Sequence, residues 1–378
     1  MYTQGKRFLA VLGLAGALLG VGAVARVGWA DWVRRDNTEG QVRVAIGLVP
    51  LNWNYYRDLA ELEGMSAPKK VAALRRAVGL NEGNPWLRME LGGAEEGVRD
   101  FHAAEGSLRR AVELDTTYAP RAELAAFYFR RKDSGKFLEA ARGALALPLP
   151  GGVKQDLGVL FGECWELVED GAEIRRVVMP ENAEDWLGYI WRSYLDFLMG
   201  SGRWAEARVA AARVMRGSVA EGKDVVLRYC EGMLGQGDGV EAAKAWKWSG
   251  SKEMGLGSTS SQKGFDWRYA GGGGLYFEVS GNGLKVGFSG KQAERCDVLW
   301  RYVVLEGGRR YRLKAVVKTP WRGPGLRWEV VAGGKDLLGG GETFDGIAGL
   351  ARLVLRYERA VGTVRVEGDV MVGQAVIE

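Results

Sequence analysis

Histidine and cysteine are scarce in this 378-residue sequence, which has one histidine and three cysteines. Cys164, Cys230 and Cys296 are far apart and form no CxxC pair, so their spacing fits neither a structural zinc site nor a dense disulfide framework. A Ser-His or Cys-His catalytic pair would have to use His102, which lies in the helix-like run DFHAAEGSLRRAVEL. We therefore expect no metal, no cofactor and no catalytic residue.

Signatures of nucleic-acid binding are also missing. The net charge is +5, but the basic excess lies in residues 1–35 and 262–378, and residues 36–261 hold more acidic than basic side chains. Without a zinc-finger, helix-turn-helix or RNA-binding motif, this distribution predicts no nucleic-acid partner. Carboxylates are plentiful, yet none has a recognisable catalytic context, so a glycosidase with paired carboxylates is the weaker alternative and we expect no enzyme.

One long apolar run is present, near the N-terminus. Residues 8–25 are uncharged and follow a basic pair, and as a helix they would rise about 27 Å, close to the ~30 Å hydrocarbon core of a bilayer. Trp29 and Trp32 suit the membrane interface. We expect residues 1–35 to be a signal anchor or transmembrane helix with its flanks, with the bulk of the chain periplasmic. The alternative is secretion after signal cleavage near Ala25, where AVA has the small-x-small form.

A repeat with a period near 34 residues runs through the middle of the chain, residues 36–250. AALRRAVGLNEGNPW at 72–86 is echoed by GSLRRAVELDTTYAP at 106–120, and SGRWAEA at 201–207 is echoed by QGDGVEA at 236–242. In the first pair, small and large apolar residues fall on one helical face and a turn follows. Such a period predicts stacked helical hairpins.

These repeats resemble the tetratricopeptide repeat family. The resemblance implies an α-solenoid in which neighbouring hairpins bury one another's apolar faces, and a protein partner in its groove. Residues 145–183 lack a recognisable repeat turn, so we expect four to six hairpins with an irregular middle. Packing is the role expected of every matching residue, including a buried Trp204. The matching residues are Ala77, Leu91, Gly92, Ala111, Gly202, Trp204, Ala207, Gly237 and Ala242.

The apolar period changes from 3.6 to 2 after a Gly- and Ser-rich linker at residues 251–264. Runs such as YRLKAVVK, GLRWEVV and ARLVLRY alternate apolar and polar residues, and Gly-rich turns separate about eight short strands in residues 265–378. This pattern predicts an antiparallel β-sandwich, a jelly roll. The chain is thus predicted to be a multidomain α + β protein: a transmembrane helix, an α-solenoid of tetratricopeptide-like hairpins, a linker and a β-sandwich.

The order of FDW, LYFEVSGNGLKVGFSG, GGRRYRLKAVVKT, GLRWEVV and GTVRVEGDVMV resembles carbohydrate-binding modules of the galactose-binding-like jelly-roll type. The resemblance implies glycan binding through exposed aromatic side chains, on which sugar rings stack. The aromatic candidates are Trp321, in the loop KTPWRGPG, and Trp300 and Tyr302.

Basic residues suggest a second kind of ligand for the sandwich. Arg310 and Arg312, with arginines of other strands, would form a basic sheet face suited to an acidic polysaccharide or anionic lipid headgroups. A solvated face that prevents edge pairing explains the same residues.

Two functions stay open. The first is a non-enzymatic, membrane-anchored envelope scaffold, with a protein partner on its repeats and a glycan or partner on its sandwich; similarity of layout implies a role accessory to surface-polysaccharide assembly. The second is a pure protein-protein adaptor in an envelope complex, with no sugar binding.

Overall fold

The computed structural model describes residues 20–146, 156–180, 186–252, 255–256, 260–269, 272–280, 283–317 and 325–378. The chain divides into two compact units, Met1–Glu181 and Asn182–Glu378. The division falls between residues 181 and 182 and not at the expected linker, 251–264, so the last helices share a unit with the strands.

The first unit is built of helices packed as consecutive hairpins. The pairs α3–α4, α5–α6 and α7–α8 are the regular ones, and α9–α10 is a shorter pair where the repeat pattern lapses. The described part of a first helix, α1, covers residues 20–33. The others are α2 (Glu39–Leu48), α3 (Trp53–Glu61), α4 (Ala67–Leu80), α5 (Pro85–Gly97), α6 (Phe101–Leu114), α7 (Tyr118–Arg130), α8 (Ser134–Leu145), α9 (Gly158–Val168) and α10 (Gly171–Val177).

Short polar side chains fix where these helices begin. The Asn84 side chain accepts hydrogen bonds from the backbone N–H groups of Trp86 and Leu87, and Pro85 occupies the first helical position of α5. Asp residues cap α6 and α8 in the same way. The turns of the sequence repeat are therefore also its helix starts.

Ion pairs between corresponding helices of successive hairpins carry the repeat period. Arg57 of α3 lies 2.9 Å from Glu90 of α5, and Arg130 of α7 lies 2.8 Å from Glu96 of α5; these partners are 33 and 34 residues apart. Such partly exposed pairs are each worth about 0–1 kcal/mol, so they align the hairpins more than they stabilise them.

The second unit begins with two more hairpins, α11–α12 and α13–α14, made of α11 (Trp186–Gly200), α12 (Trp204–Val214), α13 (Val219–Gly235) and α14 (Gly239–Trp248). Ten strands follow within the described residues: β1 (Arg268–Tyr269), β2 (Leu275–Ser280), β3 (Gly283–Ser289), β4 (Arg295–Leu305), β5 (Arg310–Val317), β6 (Leu326–Ala332), β7 (Lys335–Asp336), β8 (Thr343–Asp345), β9 (Gly349–Glu358) and β10 (Glu367–Ile377). The predicted helical hairpins and the antiparallel strands after them are both confirmed.

The strands form two five-stranded antiparallel sheets with one core between them. Sheet A has the order β1-β4-β9-β6-β7, and sheet B has the order β2-β3-β10-β5-β8. Alternation places one side of each strand inward, as in β5, where Tyr311 and Leu313 are buried and Arg312 is exposed. One expected outward residue differs: Glu329 of β6 is only 2% exposed, because arginines cover it.

Helices α13 and α14 pack directly on the sandwich. A Cβ on Gly239 would lie 2.9 Å from a methyl group of Leu350, so the start of α14 touches β9 closely. Trp246 of α14 packs edge-on against Phe265, with ring centroids 6.2 Å apart. Residues 264–268 are thus held between helix and sheet, although the sequence predicts that residues up to 264 form a linker.

The predicted membrane anchor falls largely outside the described residues, which begin at Gly20. Within the described ranges, no helix is both long enough and apolar enough to cross a membrane.

Candidate functional site

The first unit has a cleft of about 240 Å³ between α6 and α8, with α7 as its floor. Side chains three or four positions apart on each helix line it, because such residues share a helical face. The floor is apolar in the middle, and three basic groups surround it. The lining residues are Arg109, Val112, Arg121, Leu124, Tyr128, Lys136, Glu139, Ala140 and Gly143.

A hydrogen-bond network organises one end of this cleft around Glu105. Its carboxylate accepts from the Tyr128 hydroxyl at 2.9 Å and from Lys136 at 3.1 Å, and Arg109 lies 3.2 Å away. Burial opposes ionisation of Glu105, but the hydrogen bonds from Tyr128 and Lys136 outweigh it and lower the pKa of this carboxyl. Burial raises the pKa of the Tyr128 hydroxyl.

Arg121 marks the other end of the cleft. Its guanidinium donates to the backbone carbonyl oxygens of Asp115 and Thr117, at 3.1 and 3.2 Å. Carbonyl groups hold the side chain in place but do not neutralise its charge. The cleft therefore combines an apolar floor with a positioned cation, an arrangement that suits an acidic segment of an extended peptide.

On the sandwich, Trp300 and Tyr302 lie together on the outer side of β4, as neighbours in a T-shaped pair with centroids 5.1 Å apart. Arg268 of β1 lies 5.0 Å from the Trp300 ring centroid and 5.4 Å from that of Tyr302, and Arg352 of β9 lies 5.4 Å from Trp300. Glu231 of α13 holds Arg268 through an ion pair of 2.8 Å. Arginine side chains from the strands on either side of β4 therefore already form cation–π contacts with these two rings.

The other predicted ligand residues are not part of that cluster. Arg310 and Arg312 lie on β5 of sheet B, where Arg312 pairs with Glu342 at 2.9 Å. The arginines of β6 and β9 lie on sheet A, where acidic groups pair with them; Arg356 contacts Glu329 at 2.5 Å. The expected single basic face spanning these strands does not form, because its members occupy different sheets. Trp321 lies outside the described residues.

An exposed aromatic residue that the sequence reasoning missed lies on sheet B. Tyr276 of β2 is 49% exposed, and its ring covers Gly287 of β3 so closely that a Cβ there would overlap the ring. Its hydroxyl is hydrogen-bonded to Asp369 of β10, which also lies 3.2 Å from Lys285. Hydrogen bonding to Asp369 raises the pKa of Tyr276. The sequence contains a signal for this residue, since a tyrosine at an outward position opposite a glycine predicts a ring that lies flat on the sheet.

The residues matched to the repeat family occupy packing and turn positions. Ala77, Ala111, Ala207 and Ala242 are fully buried, and Leu91 is 4% exposed. Gly202 and Gly237 have φ of 71° and 79°, in the left-handed region that favours glycine at a helix end.

Trp204 differs from the expectation. It is only partly buried, and its ring packs across Gly232 of α13.

The described residues hold no group of three or more His, Cys, Asp or Glu side chains that would bind a metal ion. The cysteines are free thiols, and burial raises the pKa of Cys164 and of Cys230 to about 12. A thiol with so high a pKa is a poor nucleophile, so these cysteines are packing residues.

Among known proteins, similar ones are found among solved structures. Neither protein-family models nor curated proteins give a match. Among solved structures, the tetratricopeptide-repeat protein YrrB, described as having an unusual peptide-binding site, is 13% identical with a TM-score of 0.26 and covers 55% of this chain and 90% of its own. A tetratricopeptide-repeat protein from Parabacteroides merdae is 12% identical with a TM-score of 0.34 and covers 60% and 92%. The similarity to both proteins extends over little more than half of this chain.

Proposed function

We propose that this chain is a non-enzymatic scaffold whose helical hairpins bind a protein partner. The α6–α8 cleft supports this proposal best. It offers apolar contact to Val112 and Leu124 and a charge-assisted hydrogen bond from Arg121, which backbone carbonyl groups hold in place. A peptide that alternates acidic and apolar side chains would use both. Solved proteins with similar hairpins include one that its description credits with a peptide-binding site.

The test uses the full chain and two synthetic peptides, one alternating Asp with Leu and one alternating Lys with Leu. Fluorescence anisotropy should show saturable binding of the acidic peptide only. Arg121→Ala should weaken that binding roughly 10- to 150-fold, since a lost charged hydrogen bond is worth about 1.5–3 kcal/mol. Arg110→Ala is the control for a lost arginine, because Arg110 lies on the neighbouring helix α6, outside the cleft lining, and pairs with Glu113 on the exposed side. If both variants bind the acidic peptide equally well, the cleft is not the peptide-binding site.

The same proposal places the scaffold in a bacterial inner membrane through residues 8–25, with its bulk in the periplasm. The uncharged sequence of this stretch and the tryptophans after it support attachment. Flotation of the full chain with lipid vesicles tests it. Recovery of a soluble chain that starts close to Ala25, by N-terminal sequencing, would instead establish cleavage and secretion.

A second candidate function, glycan binding by the sandwich, is favoured by Tyr276. A flat, half-exposed ring offers a stacking face for a sugar, and Asp369 and Lys285 beside it offer hydrogen bonds to hydroxyl groups. Surface polysaccharide is the class that the similarity of layout suggests, in a role accessory to its assembly. Without sugar binding, the sandwich would act as a pure protein-protein adaptor.

Retention of the full chain on immobilised polysaccharides separates these alternatives. Tyr276→Ala should abolish retention if the ring is the platform, whereas Tyr302→Ala should leave it unchanged, because Arg268 already stacks on Tyr302. Loss of retention with Trp321→Ala alone would place the site in that loop. No retention by any polymer would leave the adaptor function.

A further inference from the structure

The end of α1 is joined to the first helices of the unit. Ala30 is fully buried against α2 and against Tyr55 of α3. The Asp31 carboxylate accepts a hydrogen bond from the Tyr55 hydroxyl at 2.8 Å and pairs with Arg34 at 3.2 Å. Arg34 also pairs with Asp58 of α3. Burial and a polar network therefore join the end of α1 to α3 by direct side-chain contacts.

Trp29 and Trp32 lie on the opposite side of the same turns. Their rings stack with centroids 5.1 Å apart, and each residue is 57% exposed. Positions three apart share a helical face, and Ala30 lies on the face that packs against the hairpin. An exposed pair of large indole rings is unfavourable in water and marks a contact surface.

Continuity with the apolar run identifies what this surface contacts. The uncharged stretch ends at Ala25, and a rise of about 1.5 Å per residue puts Trp29 and Trp32 roughly 6 and 10 Å beyond it. The headgroup layer of each leaflet is about 5–8 Å thick. Trp29 lies within that depth when residues 8–25 span the hydrocarbon, and the Trp32 ring reaches it because helical side chains lean toward the N-terminus. Indole rings favour this layer, and Arg35 beside them suits phosphate groups.

The geometry points to a membrane-interface anchor that is rigidly joined to the first hairpin. Trp29 and Trp32 lie among lipid headgroups, and Ala30, Asp31 and Arg34 attach α3 to the helix that carries these tryptophans. The first hairpin is thereby held at a set orientation to the lipid surface instead of hanging from a flexible tether. This inference rests on the proposed attachment through residues 8–25.

The depth of the pair is tested in vesicles of phosphatidylethanolamine and phosphatidylglycerol that carry bromine near the headgroup. Of the 14 tryptophans in the chain, only Trp29 and Trp32 should be quenched, so the double variant Trp29→Phe, Trp32→Phe should lose nearly all quenching. Trp86→Phe, which removes another exposed indole at 58%, should lose none. Absence of quenching in a wild-type chain that floats with the vesicles would overturn the inference, and so would shielding of the rings by a second copy.

The rigid joint is tested by energy transfer from a dye at Lys70→Cys on α4, in a Cys296→Ser background, to acceptors on lipid headgroups. The wild-type chain should give one narrow distribution of transfer efficiency, and Asp31→Ala with Arg34→Ala should broaden it. The control Arg43→Ala breaks only a pair with Glu39 within α2 and should leave the distribution narrow. A broad distribution in the wild type would overturn the joint. Failure of the chain to float at all would instead refute the proposed attachment.

Discussion

Single residues set how closely the helices approach, and Gly92 is the clearest case. A Cβ at this position would lie 2.7 Å from Cγ of Leu108, whereas a Cβ on the next residue, Gly93, meets nothing within 4 Å. We expect Gly92→Ala to lower the free energy of unfolding by about 1–3 kcal/mol through overpacking. Gly93→Ala should raise it by up to about 1 kcal/mol, since alanine is the better helix former. Parallel urea unfolding curves check both; a stable Gly92→Ala protein would show that α5 and α6 can separate freely.

Glu329 is a buried carboxylate of the sandwich that depends on paired arginines. Its carboxylate is 3% exposed and lies 2.5 Å from Arg356 and 2.6 Å from Arg327. Glu329→Gln should destabilise the second unit by roughly 1–3 kcal/mol, because Arg356 would keep only Asp297 as its carboxylate partner and the hydrogen bonds to Glu329 would lose their charge. Glu358→Gln, at a carboxylate 38% exposed, should cost no more than about 1 kcal/mol. Thermal unfolding of the two variants measures this difference in stability. Equal thermal midpoints would contradict the assignment of Glu329 as a buried ion-pair partner.

The sequence predicts correctly the repeat residues whose role depends on their size alone. It does not predict the exposure of residues that pack against side chains far away in the sequence. The burial of Ala77 and Ala111 is predictable from their spacing, because their position on a helical face determines what they contact. Burial of Glu329 and partial exposure of Trp204 depend on Arg356 and Gly232, which lie 27 and 28 positions away. Alternation places Glu329 on the outer face correctly, but nothing in its own strand indicates that arginines will cover it.

At the scale of elements, α6, α7 and α8 are tied together by one carboxylate whose ionisation makes their contact sensitive to pH. Because hydrogen bonds outweigh burial and lower the pKa of Glu105, its stabilising effect is complete above its unfolded value of 4.5 and is lost as pH falls through the lower folded value. The thermal midpoint should therefore drop more steeply below about pH 4 in the wild type than in Glu105→Gln. Glu113→Gln, at an exposed pair, should retain the wild-type slope. A wild-type slope in Glu105→Gln would exclude this network as the cause.

Elements themselves were largely predictable. Caps, turns and the period near 34 indicated the hairpins, and alternation indicated the strands, because both signals are local. The connection after α14 was not: its Gly and Ser content is typical of a linker, but Gly264 and Phe265 pack against Trp246. That contact depends on tertiary neighbours, which local composition does not record.

For the molecule as a whole, the packing of α13 and α14 on the sandwich predicts which fragments fold. A fragment of residues 182–378 keeps the contacts of Gly239 with Leu350 and of Glu231 with Arg268. A fragment of residues 265–378 loses them and exposes an apolar seam. The longer fragment should unfold cooperatively, and the shorter one should melt at a lower temperature and bind a hydrophobic dye. Equal melting temperatures would show that the sandwich is independent of the hairpins.

The place of β10 in sheet B sets an order of events during synthesis. This strand lies between β3 and β5, yet it is the last of the five along the chain. The hairpins pair neighbours in sequence and can form while the ribosome is still translating, but sheet B has a gap at its centre until residues 367–377 emerge. Until then the edges of β3 and β5 are open to other chains. Protection of these two strand edges would therefore matter until this last stage of synthesis and not after it.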